Sequence, residues 1–275
     1  MEYGFPVMGS NPAWNVVAEN VFAEFVSRWN LDKATCNGGL KWQYTESNSG
    51  YYYKNTVSNG AMFQTAARLA RFYQGENTTY TEWANTVWDW TVGVGFISAD
   101  YNVYDGAGDD GSANCTAIDE DQWTYNLGTY LHGAAHMFNV TDDSVWETRV
   151  QGLLATAKSV FFDNGVLYEQ KCEPTASCSY DNVIFKASLA RWMAKTAVLV
   201  PSVKDEIMSL LATSASGAAQ ACVGLGNSTC GVSWTKGGYD GSSYFGNELS
   251  ALETIQSLLV FNAPRLAVAS SKNTT

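Results

Sequence analysis

A cluster of carboxylates lies between residues 96 and 121, and amide and aromatic residues follow it directly. The acidic residues are Asp100, Asp105, Asp109, Asp110, Asp119, Glu120 and Asp121, and the residues that follow are Gln122, Trp123, Tyr125 and Asn126. Carboxylates and amides hold vicinal hydroxyls, and aromatic faces stack on the C–H side of a pyranose. The pattern therefore favours a sugar site. Two alternatives stay open, a plain solvated acidic loop and a Ca²⁺ loop at 104–111, since hard oxygen ligands serve either purpose.

Three further segments carry similar chemistry and strengthen the sugar interpretation. The first adds aromatics, a cation and amides, namely Trp42, Tyr44, Tyr51, Tyr52, Tyr53, Lys54, Asn55 and Asn59. The other two add Phe185 and Lys186, and then Trp234, Tyr239 and Asp240. For each amide and aromatic residue the alternative is a structural role, either capping a helix or packing the mouth of the fold.

Other chemistries have weaker support. His132 and His136 are the only histidines, but the stretch HGAAH lacks the glutamate of a zinc-binding HExxH motif, so we expect structural or hydrogen-bonding roles. The excess of 27 acidic over 16 basic residues argues against a nucleic-acid partner. No apolar run approaches the ~18 residues of a membrane span. The sequence implies no metal and no other cofactor.

The cysteines and glycosylation sequons are typical of a secreted or cell-surface protein. The sequons begin at Asn77, Asn114, Asn139, Asn227 and Asn273. The six cysteines lie in long connections without zinc-site spacing, so we expect disulfides. Proximity pairs Cys172 with Cys178 and Cys222 with Cys230, which leaves Cys36 with Cys115. The chain nevertheless opens without the basic and apolar regions of a signal peptide, so we expect a cropped N-terminus.

Helical periodicity dominates the sequence, and the helices recur about every 63 residues. Helices rich in Ala, Gly and aromatics, typical of an inner and doubly covered layer, are predicted over 57–73, 122–138, 183–199 and 246–262. Outer helices with one apolar stripe are predicted near Thr79, Asp142 and Ser202, and over 13–29. The return connections, at 31–56, 96–121, 161–182 and 221–245, then share one face. This alternation predicts an all-α toroid of helical hairpins, with an irregular α-solenoid as the alternative.

The repeat also predicts a helix that this sequence does not contain. The outer helix at 13–29 should follow an inner partner that begins about 63 residues before position 57, which lies upstream of Met1. We expect this incomplete ring to expose the apolar faces of the helices at 13–29 and 246–262. The chain expressed alone should then associate and lack activity.

Many short stretches, in order along the chain, resemble glycoside hydrolase family 76, the endo-α-1,6-mannanases. They are CNGGLKWQ (36–43), YYYKNTVSNGAMF (51–63), AARLARFY (66–73), TEWANTVWDW (81–90), VYDGAGDDG (103–111), QWTYNLGTYLHGAAHMF (122–138), CEP (172–174) and IFKASLARW (184–192). The sequence is most similar to the fungal branch, whose members are GPI-anchored cell-wall proteins proposed to process mannan or GPI-anchor glycans. The resemblance implies an (α/α)6 barrel of twelve helices, about eight of them present. This domain would occupy 1–262, followed by a Ser/Thr-rich tail at 263–275.

The resemblance also implies a mechanism and a set of site residues. In this family an adjacent Asp-Asp pair supplies the nucleophile and the acid/base of a retaining reaction, with carboxyl groups ~5–5.5 Å apart. We expect that pair upstream of Met1, so no catalytic residue is assigned within the chain. The family's pattern implies that the residues in contact with sugar hydroxyls are Asp105, Asn126, Gln122, Lys54, Asn55, Asn59 and Lys186. The aromatic walls of the site would be Trp42, Tyr53, Trp123 and Phe185. Asp105, Asn126 and Lys54 should line one cavity at the N-termini of the inner helices.

Two other functions stay open. The first is a non-catalytic mannan-binding or cell-wall structural paralogue. The second is an enzyme that uses Asp105 with Asp109 or Asp110. The Asp-Asp pairs that do occur, at 109–110 and 142–143, lie in a loop and at an outer-helix cap rather than at the start of an inner helix.

Overall fold

The computed structural model describes residues 14–110, 114–226 and 228–269. Within these ranges the chain forms eight α-helices: α1 Trp14–Asp32, α2 Thr56–Phe72, α3 Thr78–Gly93, α4 Thr124–Thr141, α5 Ser144–Phe161, α6 Asn182–Leu199, α7 Lys204–Ala221 and α8 Phe245–Gln256. All eight helices predicted from the sequence are confirmed, within a few residues at their ends. The helix predicted over 246–262 is shorter, because Ser257–Asn262 continues as a 3-10 helix.

The helices alternate between an inner and an outer layer, as the repeat predicts for an all-α toroid. In the inner layer α2 packs on α4, α4 on α6 and α6 on α8, while α3, α5 and α7 lie outside them. Small residues allow the inner helices to approach closely. Gly60 of α2 faces Thr129 and Tyr130, and Gly128 of α4 faces the ring of Trp192. A larger side chain at either glycine would collide with the next inner helix, which explains the Gly- and Ala-rich composition of this layer.

The core between α2 and α5 is built from aromatic rings. Phe63 stacks on Tyr130 and on Trp146 at centroid distances of 5.5 and 5.8 Å, and Trp88 meets the edge of Trp146. The Tyr130 hydroxyl, fully buried, lies 3.2 Å from the Thr91 hydroxyl, so its polar end is satisfied. These rings account for much of the apolar area that holds the two layers together.

The long connections that precede the inner helices contact one another in series at one end of the layer. Strands β1 (Tyr53–Asn55), β2 (Gly106–Gly108) and β3 (Ile118–Asp119) form an antiparallel sheet in that order, which joins the first connection to the second. A hairpin of β4 (Phe162–Asp163) and β5 (Val166–Leu167) lies in the third connection. These strands are too short to leave a periodic pattern, and the sequence analysis did not predict them.

All three predicted disulfides are confirmed. Cys36–Cys115 ties the first two connections together with a Cα separation of 5.6 Å. Cys172–Cys178 and Cys222–Cys230 each close a short loop within one connection. The pairing places the first and second connections on the same face, as the toroid predicts.

The segment after the last helical turn runs along the C-terminal ends of the inner helices back to α2. The Ala269 N–H donates to the carbonyl of Phe72 at 2.8 Å, and the Arg71 guanidinium donates to the carbonyl of Ala267. Leu266 packs against the core. The predicted boundary at residue 262 stays a prediction, and residues 270–275 lie outside the described part of the chain.

Two helix faces at the ends of the layer expose apolar side chains, as the sequence analysis expected. On α1 these are Trp14, Val16, Val17, Val21 and Leu31, and along α8 and the 3-10 helix they are Leu252, Ile255, Leu258, Leu259 and Phe261. The predicted association of the chain stays a prediction. Among the described residues we find no helix with the length and apolar character needed to cross a membrane.

Candidate functional site

An open groove of about 620 Å³ lies where the first two connections meet, beside the N-terminus of α2. Its lining is aromatic and acidic: Trp42, Tyr51, Tyr52, Tyr53, Asp105 and Asp119, together with residues 48–50. The sheet builds this groove, because the pairing of β1 with β2 brings the first connection against the second, and the Tyr53 hydroxyl reaches Asp105, the residue before β2. The groove therefore combines the two kinds of side chain from which the sequence predicted a site.

Two neighbouring side chains hold the Asp105 carboxylate in place. Its Oδ2 accepts from the Tyr53 hydroxyl at 2.8 Å, and its Oδ1 accepts from the Asn126 amide at 3.1 Å. Burial raises the pKa of Asp105 above its ordinary value, although both hydrogen bonds oppose the shift. Burial and the bond to Asp105 likewise raise the pKa of Tyr53, so its hydroxyl stays a donor. The prediction that Asp105 and Asn126 come together is confirmed.

Two amide oxygens at the start of α4 have no hydrogen-bond partner among the described residues. They are Oδ1 of Asn126 and Oε1 of Gln122. A buried acceptor without a partner is costly, and such groups occur where a ligand or an ordered water supplies the donor. The arrangement suits a polyhydroxylated ligand, whose hydroxyls both donate and accept.

Aromatic rings continue from this groove along the N-termini of α4 and α6. Trp42 meets Tyr53 edge-to-face at 6.5 Å, and Trp42 is about half exposed. Further along, Phe185 of α6 contacts Trp123 at 5.6 Å and Tyr125 at 4.2 Å. All four aromatic residues predicted as walls therefore lie at the same end of the inner layer.

Asp109 is not among the residues that line the groove, but it supports the loop that carries Tyr51 and Tyr52. Its carboxylate is fully buried and bonds the Lys41 ammonium at 2.8 Å and the Thr35 hydroxyl at 2.8 Å. The Lys41 ammonium in turn lies over the rings of Tyr51 and Tyr52, at 4.3 and 4.8 Å from their centroids. The structure therefore gives no support to an enzyme that pairs Asp105 with Asp109.

Three residues that were predicted to contact sugar hydroxyls form hydrogen bonds within the protein instead. They are Lys54, Asn55 and Asn59. The ammonium of Lys54, fully buried, donates to the carbonyls of residues 32, 35 and 38 at 2.7–2.9 Å and so caps the end of α1. Burial lowers the pKa of Lys54 to about 8, yet three carbonyl acceptors require the charged form. Asn55 caps α2 through Ser58, and Asn59 bonds both backbone groups of Leu40. Of the three residues predicted to line one cavity, Asp105 lines the groove and Asn126, fully buried, bonds it from behind. The Lys54 ammonium is elsewhere, because the carbonyls at the end of α1 need a donor.

Lys186 is likewise held within the protein. Its ammonium, fully buried, pairs with Glu173 at 2.8 Å, donates to the carbonyl of Val232 and lies 3.7 Å from the ring centroid of Trp234. Three partners surround it, so it joins the third and fourth connections rather than meeting a ligand. Phe185, the residue before it, faces the aromatic surface.

Glu169 belongs to the site's support, and the sequence analysis missed it. It is almost fully buried and accepts from the N–H of Thr124 at 3.1 Å and from the Thr124 hydroxyl, at the first residue of α4. Its own N–H donates to Glu173 at 2.8 Å. Burial, with the nearby charge of Glu173, raises the pKa of Glu169 to about 8. Nothing in the sequence marks it, since a lone glutamate in a long connection has no pattern.

The remaining candidates lie away from the groove. Asp142 and Asp143 lie at the other end of the layer, where they end α4 and cap α5. His132 and His136 are fully buried with their Nε2 atoms 3.0 Å apart, and burial holds the pKa of His132 well below its ordinary value. Across residues 14–110, 114–226 and 228–269, no three His, Cys, Asp or Glu side chains are grouped as metal ligands would be.

Three of the predicted glycosylation sites are exposed in the structure. Asn77 caps α3, Asn139 lies near the end of α4, and Asn114 lies next to the disulfide at Cys115. Asn227 and Asn273 lie outside the described residues. Glycosylation at all five stays a prediction.

An inner and an outer layer of helical hairpins, with an acidic and aromatic groove at one end of the inner helices, define an α/α-toroid protein. The family model described as glycosyl hydrolase family 76 matches residues 1–270. The chain belongs to this family.

Curated relatives and a solved structure agree with this assignment. A putative mannan endo-1,6-alpha-mannosidase of Schizosaccharomyces pombe is 46% identical over 263 residues, which cover 94% of this chain and 58% of the relative. A mannan endo-1,6-alpha-mannosidase of Saccharomyces cerevisiae is 45% identical over 258 residues, covering 93% of this chain and 56% of the relative. The crystal structure of Dfg5 from Chaetomium thermophilum in complex with glucosamine has a TM-score of 0.88 at 39% identity, covering 95% of this chain and 64% of that chain. This chain thus spans a little over half the length of the curated relatives it matches.

Proposed function

We propose that this chain carries the glycan-binding groove of an endo-acting α-1,6-mannosidase whose substrate is an α-1,6-linked mannan. The observation that carries the proposal is the Asp105 carboxylate, held by Tyr53 and Asn126 in an open groove walled by aromatic rings. The names of both curated relatives supply the substrate class and the linkage. The reaction is the retaining hydrolysis that the family resemblance implies, or transfer to an acceptor sugar.

The side chains at the site would have three roles: some contact sugar hydroxyls, some form the aromatic walls, and some hold the backbone in place. Asp105 accepts from sugar hydroxyls, and the unpartnered oxygens of Gln122 and Asn126 supply further acceptors. The rings of Trp42, Tyr53, Trp123 and Phe185 stack on or enclose the sugar faces. Four other residues would support the site without touching the sugar, because their polar atoms hold the backbone around the groove in place. They are Lys54, Asn55, Asn59 and Lys186.

A non-catalytic mannan-binding or cell-wall structural role is the second candidate. It is favoured by the positions of the two Asp-Asp pairs, neither of which offers two carboxylates to the groove. Asp109 is buried in its ion pair with Lys41, and Asp142 and Asp143 lie at the opposite end of the layer. Binding without turnover by a chain extended upstream of Met1 would select this role, since the catalytic pair of the first candidate is expected there.

The proposed setting is the fungal cell surface or cell wall, outside the reducing cytosol. Three disulfides with no free cysteine support a secreted protein. The GPI-anchor glycan is a second substrate of the same chemistry, since it also carries mannose, and a GPI anchor of the protein itself belongs to the same proposal. A competition titration with a mannose-containing GPI glycan would rank it against α-1,6-mannan.

The proposal is tested by titrating α-1,6-mannobiose into the chain by calorimetry, beside an assay for sugar release from α-1,6-mannan. Asp105→Asn should weaken binding about 10-fold to 100-fold, because an amide cannot accept from both of its donors. Asp110→Asn is the matched control, since its side chain is exposed and outside the groove. Equal affinities for the two variants, or no binding by the native chain, would refute the proposed site.

A further inference from the structure

A second group of aromatic rings lies at the same end of the inner layer, beyond the groove already described. Tyr180 comes two residues before α6, and Tyr244 directly precedes α8. Their rings meet edge-to-face at 4.8 Å, and Tyr180 is 77% exposed and Tyr244 39% exposed. The next residue, Phe245, is 83% exposed. The residues Tyr180, Tyr244 and Phe245 are called the distal platform below.

The backbone on both sides of this platform is held firmly. Ser179 and Asn182 exchange hydrogen bonds across the start of α6, the N–H of each donating to the side chain of the other. The disulfide at Cys178 lies immediately before them. On the other side, Asp240 accepts from the N–H of Ser242 and so restrains the approach to Tyr244. Rings on restrained backbone lose little conformational entropy when a ligand stacks on them.

Apolar side chains of α6 lie between the distal platform and the groove. On α6, Phe185 contacts the rings of Trp123 and Tyr125 on one side. Its neighbour Ile184 contacts Gly246 of α8 on the other side. Phe185 and Ile184 therefore lie between the rings at the start of α4 and the first turn of α8, while Asp181, next to Tyr180, is exposed.

We propose that the distal platform is a sugar subsite, which a mannoside reaches only when it already occupies the groove near Asp105. The inference rests on the proposed function and adds a length preference to it. No hydrogen bond joins the hydroxyl of Tyr180 or Tyr244 to a described residue, so both rings combine a stacking face with hydrogen-bonding capacity, which suits a pyranose better than an apolar protein segment. Neighbouring helix axes lie about 8–10 Å apart, so the part of the platform on α8 lies roughly 16–20 Å from α4. A single sugar ring cannot span this distance, but an oligosaccharide can.

The test compares α-1,6-mannobiose with α-1,6-mannohexaose by calorimetry, using the native chain, Tyr180→Ala, Tyr244→Ala and the double variant. Each single variant should weaken hexaose binding about threefold to tenfold, the range that one aromatic contact contributes. The affinity for mannobiose should change less than twofold. Tyr44→Ala is the matched control, because Tyr44 is 70% exposed but its ring is occupied by Arg28 of α1. Thermal melts of each variant confirm that the fold is intact.

The outcomes separate this inference from the function on which it rests. If the native chain binds both saccharides equally while Asp105→Asn abolishes binding, the function stands and the distal subsite is refuted. Equal losses for both saccharides in the tyrosine variants would also refute it, since they would indicate a general disturbance of the groove. If the double variant changes only the oligomeric state in light scattering, the platform is a protein contact, and the inference fails.

Discussion

Replacing Glu169 by glutamine should remove a pH dependence of stability that we expect of the native chain between pH 5 and pH 7.5. Glu169 is almost fully buried at the start of α4, where it accepts from the N–H and the hydroxyl of Thr124. Burial raises its pKa from 4.5 to about 8, with the charge of Glu173 acting in the same direction. The folded chain therefore holds this carboxyl protonated at a pH where the unfolded chain ionises it.

The sign and size of the effect follow from this difference in protonation. Between pH 4.5 and about 8 the folded state binds more protons than the unfolded state, so the free energy of unfolding falls as pH rises. The contribution of Glu169 is complete below pH 4.5 and lost above about pH 8. Each pH unit in this window is worth about 1.4 kcal/mol, which amounts to about 3 kcal/mol from pH 5 to pH 7.5.

Two substitutions and a control separate protonation from packing. Glu169→Gln is neutral at every pH and keeps an oxygen for Thr124, so it should be more stable than the native chain at pH 7.5 by about 3 kcal/mol. Glu169→Ala should lose about 1–3 kcal/mol at pH 5, because it leaves a buried N–H without a partner, and less than that at pH 7.5, because it also removes the ionising carboxyl. Glu206→Gln breaks only an exposed ion pair with Lys158 and should change stability by less than about 1 kcal/mol.

The measurement is urea unfolding at pH 5 and pH 7.5, followed by tryptophan fluorescence. The decisive quantity is the difference in unfolding free energy between the native chain and Glu169→Gln at each pH. A difference that does not change between the two pH values would show that Glu169 ionises alike in both states. The argument from its burial would then be wrong.

Three other perturbations have outcomes that the structure predicts. Removing the disulfide between Cys36 and Cys115 by a double serine substitution should cost about 4–5 kcal/mol of unfolding free energy, measured by urea unfolding, because it closes a loop of 79 residues. Lys54→Met should cost about 2–4 kcal/mol in a thermal melt, because three buried carbonyls lose their donor. Replacing Leu259 and Phe261 together by serine should reduce self-association in light scattering, because both belong to an exposed apolar face.

Matched controls accompany these three predictions. The Cys172–Cys178 bond closes a separation of only 6 residues, so its removal should cost about half as much, and equal losses would contradict the loop argument. Lys171→Met breaks a surface ion pair and should change stability by less than about 1 kcal/mol. Val145→Ser alters an exposed residue on a different helix. If this variant reduced self-association as much, the apolar face with Leu259 and Phe261 would not be the surface through which the chain associates.

The eight helices, their two layers and the three disulfides were predictable from the sequence. Helix period and composition are local properties that repeat along the chain, and only Gly- and Ala-rich segments can be covered on both sides, as Gly60 and Gly128 illustrate. The location of the groove was predictable for the same reason, since alternation brings every long connection to one end of the layer. Asp105 and Asn126 therefore meet as expected, although 21 residues separate them.

The direction of each polar side chain was decided only by the tertiary structure. Lys54, Asn59 and Lys186 have the residue types of a sugar site, yet each bonds to backbone or charged groups that the folded chain leaves without partners. Glu169 shows the converse case, a residue without any pattern that caps the helix bearing Asn126. A buried backbone group and a sugar hydroxyl require the same donors and acceptors, so residue type cannot distinguish them. The packing of neighbouring connections makes that choice, because it determines which polar atoms are enclosed and which face the open groove.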